Sequence, residues 1–173
     1  MRSHLFTAAT TALMLVLAAP LAATAADYTP KADTALVAKG GWWDADVNGY
    51  SGAPALGVEL STNDTWTEMP AGVLRHMVSW NHADHDGLEL NTAEWNLHWM
   101  FETNSGVWMG LGPGLGYVWA DGKNLDDGIA AQFGASAHYI QGHAFFGIES
   151  RYQWTEADNA DNWLTMAKVG WAF

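Results

Sequence analysis

The chain has 173 residues, a formal net charge of -12 and no cysteine. The acidic excess excludes a phosphate-neutralising surface, so nucleic acid is not an expected partner. The missing cysteines exclude disulfides, a thiolate metal site and a cysteine nucleophile.

The first segment reads as an export signal. Met1-Arg2-Ser3-His4 is positively charged, an apolar run spans Leu13 to Ala19, and small residues follow Pro20 up to Ala25 and Ala26. This order matches a secretory signal peptide over 1–26, and the apolar run is shorter than the roughly 20 residues a spanning helix needs. Removal takes Arg2 away and leaves residues 27–173 as one domain with more negative charge still. After Ala26 no apolar run is long enough for a transmembrane helix.

The remainder breaks into apolar-alternating stretches separated by turns rich in Gly, Asn and Asp, and no stretch combines a 3.6-residue period with helix caps. The alternation predicts eight strands, at about 34–43, 53–60, 71–81, 88–101, 106–119, 128–140, 143–155 and 162–173. In the fourth, Trp95, Leu97, Trp99 and Phe101 oppose Glu94, Asn96, His98 and Met100. In the fifth, Val107, Met109, Leu111, Leu115, Tyr117 and Trp119 oppose Gly110, Gly112, Gly114 and Gly116, and Pro113 predicts a bulge. The sixth sets Ile129, Phe133 and Tyr139 against Gln132, Gly134, Ser136 and His138. The seventh sets Phe146, Ile148, Tyr152 and Trp154 against His143, Gly147, Glu149, Arg151 and Gln153. The eighth ends Lys168-Val169-Gly170-Trp171-Ala172-Phe173, with bulky side chains at every second position to the last residue.

One face is therefore apolar and rich in aromatics, and the other is small or polar. A soluble barrel would turn the apolar face inward, but an eight-stranded barrel only just accommodates its side chains. The 11 Trp and 18 Gly against 7 Lys plus Arg fit the opposite orientation, with glycines and paired charges inside and aromatics outside. The expected fold is all-β: an eight-stranded antiparallel up-and-down transmembrane β-barrel. An even strand number puts both ends on the periplasmic side. The outer loops are then about 44–52, 82–87, 120–127 and 156–161, and the inner turns about 61–70, 102–105 and 141–142. The outer loops hold most of the acids, among them Asp44, Asp84, Asp121 and Asp161.

The alternating C-terminal strand closing on Val169, Trp171 and Phe173 resembles the assembly signal of bacterial outer-membrane proteins. Together with Gly110-Leu111-Gly112-Pro113-Gly114-Leu115-Gly116-Tyr117 and Gly147-Ile148-Glu149-Ser150-Arg151-Tyr152-Gln153-Trp154, the chain resembles the small OmpA/OmpX-type outer-membrane β-barrel proteins over essentially all of 27–173. The resemblance implies a place in the bacterial outer membrane after export through the periplasm. It implies contact with outer-membrane lipid and lipopolysaccharide, and recognition of the C-terminal strand by the barrel-insertion machinery. It names no external ligand, because this fold hosts anchors, adhesins, small pores and lipid-modifying enzymes. No periplasmic peptidoglycan-binding domain is expected after Phe173, so the anchoring role of longer OmpA-type proteins is not expected to carry over.

Arg75, Glu94, His98, Gln132, His138, Glu149, Arg151 and Lys168 are expected in the lumen, with Lys39 and Ser136 beside them. Charges in a narrow lumen must be paired, so the expectation is a polar network that plugs the barrel. The alternative is a gated ion path in which Glu149 exchanges Arg151 and Lys168. A third reading takes Ser136, His138 and Glu149 as nucleophile, base and orienting carboxylate. This resembles the triad of outer-membrane lipid A deacylases, but His138-Tyr139-Ile140 lacks the serine of the His-x-Ser motif and these side chains point inward. No catalytic activity is expected.

Asn81-His82-Ala83-Asp84-His85-Asp86-Gly87 suggests a metal loop, yet His82 and Ala93 stand where a calcium loop needs acids. His82, Asp84, His85 and Asp86 are thus weak metal candidates in a solvated loop, and no cofactor is expected. The glycines of 110–116 lie in a strand and open no helix, which excludes a phosphate loop. They are expected to make room for bulky neighbours such as Arg151.

Overall fold

The computed structural model describes residues 33–45, 52–85, 87–121, 126–156 and 161–173. Eight strands form: β1 (Ala35–Ala45), β2 (Ala53–Asn63), β3 (Val73–His85), β4 (Leu88–Glu102), β5 (Val107–Asp121), β6 (Gly128–Gln141), β7 (Ala144–Thr155) and β8 (Asn162–Ala172). Each pairs antiparallel with its sequence neighbour, and β1 closes on β8 from Ala35↔Ala172 to Ala45↔Asn162. Closure gives every strand two partners and leaves no open edge. Here the proximal end of the barrel is the one holding the start of β1 and the end of β8; the distal end is opposite. Residues 1–26, expected to be a signal peptide, lie outside the described residues.

The faces divide as alternation dictates, with hydrophobicity inverted relative to a soluble protein. Leu56 is 67% exposed on the outer wall, whereas Lys39 is 4% and Arg75 1% exposed within. Only a solvent that accepts apolar surface makes this arrangement stable. Outward aromatics gather near both ends, with Trp42, Trp80, Tyr117 and Trp154 distal and Trp99, Tyr139, Phe146 and Trp171 proximal. Inside, a distal apolar cluster contains Trp43, Leu88, Leu90, Val118, Leu164 and Met166. A proximal one contains Ala35, Val37, Phe145 and Ala172. Phe145 belongs to the inward set of β7, while His143, expected inward, is exposed at the rim and stacks on Trp171 at 4.9 Å.

Three expectations change. β3 extends to His85 and pairs on through Asp84↔Glu89 and His85↔Leu88, so most of the expected loop 82–87 is strand. Gly87, at φ 77, stands directly before β4. The Asp86-Gly87 dipeptide is a hairpin signal, and polar residues outside an apolar layer continue a ladder as readily as apolar ones do within it. Likewise β2 runs to Asn63, and Asp64 N donates to Leu74 O at 2.7 Å, shortening the turn after it to 64–72. Finally, Pro113 makes no bulge. The β4–β5 register is the same on both sides of it, Asn96↔Gly114 and Trp99↔Leu111, and β6 pairs straight through at Pro113↔Phe133. The missing N–H interrupts the ladder toward β4 without inserting a residue.

The β5 glycines make room for β4 rather than for Arg151. A Cβ on Gly112 would run into the Leu97 carbonyl oxygen and lie 3.0 Å from His98 Cα. Gly134 is the residue opposite Arg151, whose Cβ would be 2.8 Å away. Gly112→Val should therefore lower stability by roughly 1–3 kcal/mol, the cost of overpacking against backbone. Leu111→Val, on the outer wall, should stay within about 0.5 kcal/mol. Urea titration of the refolded protein in lipid vesicles, read by the heat-dependent gel shift, compares the two.

Candidate functional site: the charged lumen

Inward positions on every strand but β5 bring polar residues together in three tiers. Nearest the proximal end is Arg75, on β3. Its Nη1 donates to Asn63 Oδ1 at 2.8 Å and to the Asp33 carbonyl at 3.2 Å, and its Nη2 donates to Ser61 Oγ at 2.9 Å. The guanidinium carbon lies 5.6 Å from the centre of the Phe145 ring, within cation–π range.

The second tier is a ring of two lysines and two glutamates from β1, β2, β7 and β8. Lys39 Nζ is 2.6 Å from Glu149 Oε1 and 3.6 Å from Glu59 Oε2. Lys168 Nζ is 2.6 Å from Glu59 Oε2 and also contacts Glu149 Oε2. Each cation thus meets both anions. This corrects one expected pairing, since Glu149 takes the two lysines and Arg151 takes Glu94 instead.

The Arg151–Glu94 pair makes the third, more distal tier. Arg151 also donates to Gln132, and Glu94 accepts from Thr92 and, at 2.8 Å, from Asn81 Nδ2. Gln132 Nε2 donates to Asn96 Oδ1 at 2.6 Å and Gln153 Nε2 to Gln132 Oε1 at 3.0 Å. Asn162 then donates to Gln153 at 2.9 Å. Amides extend this ion pair and satisfy several of its remaining lone pairs and protons, which a buried pair needs.

Every residue expected in the lumen network is buried there: Arg75, Glu94, His98, Gln132, His138, Glu149, Arg151 and Lys168, with Lys39. Glu59 was missed. It is inward on β2, and the signal was the alternation of Gly57, Glu59 and Ser61 with Leu56, Val58 and Leu60.

The triad residues do not form a chain. Ser136 Oγ bonds His98 Nδ1 at 2.8 Å, while His138 sits between the rings of Phe145 and Trp108, with centroids 5.0 and 6.3 Å away. Glu149 faces Ser136 in register but is held by the lysines.

The metal candidates lie on the distal part of β3 and its turn. His82 Nδ1 is 3.0 Å from Asn91 Oδ1, and its ring stacks on Trp80. Successive strand residues point to opposite faces, which separates His85 from His82 and Asp84. Among the described residues no group of three His, Asp or Glu side chains could hold a metal ion; Asp86 lies outside them.

Replacing one member of the Arg151–Glu94 pair leaves a buried charge without its counterion. Arg151→Met and Glu94→Leu should each cost about 3–5 kcal/mol, and the double variant should be more stable than the two losses added together. A double-mutant cycle by urea unfolding in vesicles measures the coupling.

No protein-family model matches the chain, and no curated protein sequence matches it. Solved structures do match in fold. Neisserial surface protein A superposes with a TM-score of 0.57 at 15% identity, over 82% of this chain and 97% of that one. The N-terminal β-barrel domain of Pseudomonas aeruginosa OprF gives 0.55 at 14% identity, over 83% and 100%. Ail, the attachment invasion locus protein of Yersinia pestis, gives 0.54 at 12% identity, over 83% and 99%. With its closed antiparallel ladder, apolar exterior and charged interior, the chain has the fold of the small eight-stranded outer-membrane β-barrels.

Proposed function

We propose that the protein is a resident of the bacterial outer membrane with a plugged lumen, serving a structural or surface-exposed envelope role without catalysis. The observation that carries this reading is the filling of the lumen. Apolar clusters occupy both ends, and between them Lys39, Glu59, Glu149 and Lys168 balance one another, as do Arg151 and Glu94. These charges satisfy one another, and Arg75 is engaged by Asn63, Ser61, Asp33 and the Phe145 ring, which argues against a path for a permeating ion.

The proximal end then faces the periplasm and the distal end the exterior, with lipopolysaccharide around the distal aromatics. The C-terminal strand, with Val169, Trp171 and Phe173 on the outer wall, supports recognition by the barrel-insertion machinery. Ail has been solved with the heparin analogue sucrose octasulfate. Here Asp84, Glu89, Asp121 and Asp127 crowd the distal rim, which repels a polyanion. Against catalysis stands the separation of Ser136 from His138 and the engagement of Glu149 by two lysines.

Refolded mature protein in a planar bilayer should give no single-channel steps, with folding shown by the heat-dependent gel shift. Reproducible steps, altered by Arg151→Ala, would replace this reading with that of a narrow pore.

A further inference from the structure

The proximal turns differ in length. β4–β5 and β6–β7 close within a few residues, but the β2–β3 turn spans 64–72 and carries Trp66, 94% exposed. This turn is ordered. The Asp64 carboxylate accepts from Trp66 N at 2.7 Å, from Thr67 N at 3.4 Å and from Thr67 Oγ1 at 2.6 Å. The Thr67 hydroxyl first, then the Trp66 amide, hold the Asp64 carboxyl below its usual range, so the turn keeps its anchor at neutral pH.

The two ends of the turn meet outward side chains. Asp64 Oδ2 is 3.9 Å from Nε2 of His76, which stacks on the lipid-facing Trp95 and accepts its indole N–H at 3.2 Å. At the other end of the turn, Ala71 O accepts from the Trp99 indole at 2.7 Å. Both ends are thus tied to outward aromatics.

The proximal aromatic belt has a gap at this place. β4 contributes Trp99, β6 Tyr139, β7 Phe146 and β8 Trp171, whereas the adjacent β1, β2 and β3 present Leu36, Leu60 and Leu74 near their proximal ends, and β5 presents Met109. We propose that Trp66 completes the belt from outside the strands, inserting into the headgroup–acyl boundary of the periplasmic leaflet as a turn-borne anchor. The inference rests on the reading of the barrel as membrane-spanning. An indole suits that boundary because its ring is apolar and its N–H still finds a polar partner there. Continuity with the lipid-facing wall favours phospholipid over a soluble periplasmic partner.

The chain has no cysteine, so single nitroxide labels are unambiguous. Thr65→Cys places a label beside Trp66, and Val78→Cys places one on the outer wall. Both are refolded into phosphatidylcholine vesicles, and accessibility to oxygen and to a water-soluble nickel chelate is read by electron paramagnetic resonance. The expected result is a Val78 label in the apolar layer and a Thr65 label at headgroup depth, which loses that depth on Trp66→Ala. Trp66 packs against little, so that variant should keep its gel shift. A Thr65 label open to nickel and indifferent to Trp66→Ala, with the Val78 label still in lipid, would overturn the anchor alone and leave Trp66 to a soluble partner. A Val78 label open to nickel would overturn the membrane reading as well.

Discussion

Closing eight strands into a cylinder leaves a lumen wide enough for side chains and little else. Each inward charge must therefore meet an opposite charge or a set of oriented dipoles within a few ångströms. The interior holds Lys39, Arg75, Arg151 and Lys168 against Glu59, Glu94 and Glu149. The cation in excess is Arg75, placed where the constraint is weakest. It lies in the proximal tier, near the rim, where the partly exposed Asp33 carboxylate is 4.0 Å away and neutral oxygens accept from its Nη1 and Nη2. The two deeper tiers are neutral in formal charge.

The same closure fixes what the outer wall must do. Because the backbone is satisfied internally, the wall is free to be apolar throughout, and aromatics at its borders set its height. Phe146 and Trp154 on β7 are eight residues apart, as are Trp171 and Trp163 on β8. Eight strand steps span roughly 26 Å along the strand. With a tilt of about 35–45° this leaves some 20 Å of height, near the roughly 25 Å apolar band of such barrels. The belts are thus spaced by the layer they border, and the short proximal turns between β4 and β5 and between β6 and β7 lie just beyond it.

Alternation made the strands legible, since a period of two survives any choice of side chain and only the pattern matters. It also placed Glu94, Glu149, Arg151 and Lys168 inside before any pairing was known. The pairings themselves were not legible. Lys39 meets Glu149 across 110 positions and a strand that lies between them, and nothing local in the sequence marks which carboxylate a long lysine will reach. Glu94 and Glu149 both face inward within reach of Arg151, and the choice depends on height, which the tilt of the strands sets. Phe145 is an aromatic in an otherwise polar inward row, which alternation alone does not explain. It becomes intelligible once Arg75 is seen above its ring. Pro113 failed as a bulge signal because a lost ladder bond and an inserted residue are separate events, and only the second changes register.

A lumen committed to holding the cylinder together leaves the outer surfaces to distinguish one such barrel from another. Here those surfaces are asymmetric. The distal rim is acidic, through Asp84, Glu89 and Asp121, and its strands run past the aromatic border on polar residues that water solvates. The proximal rim carries Asp33, Asp64, Glu68 and Glu102, and the longest of its described turns is tied to the wall through Asp64–His76 and Trp99–Ala71. Acids at both rims resist burial in an apolar layer, and indoles near both ends suit its boundaries. Both effects oppose displacement of the barrel along its axis, without any contribution from the lumen. Interior and exterior therefore answer to separate constraints: the first to pairing within the chain, the second to the surroundings it spans.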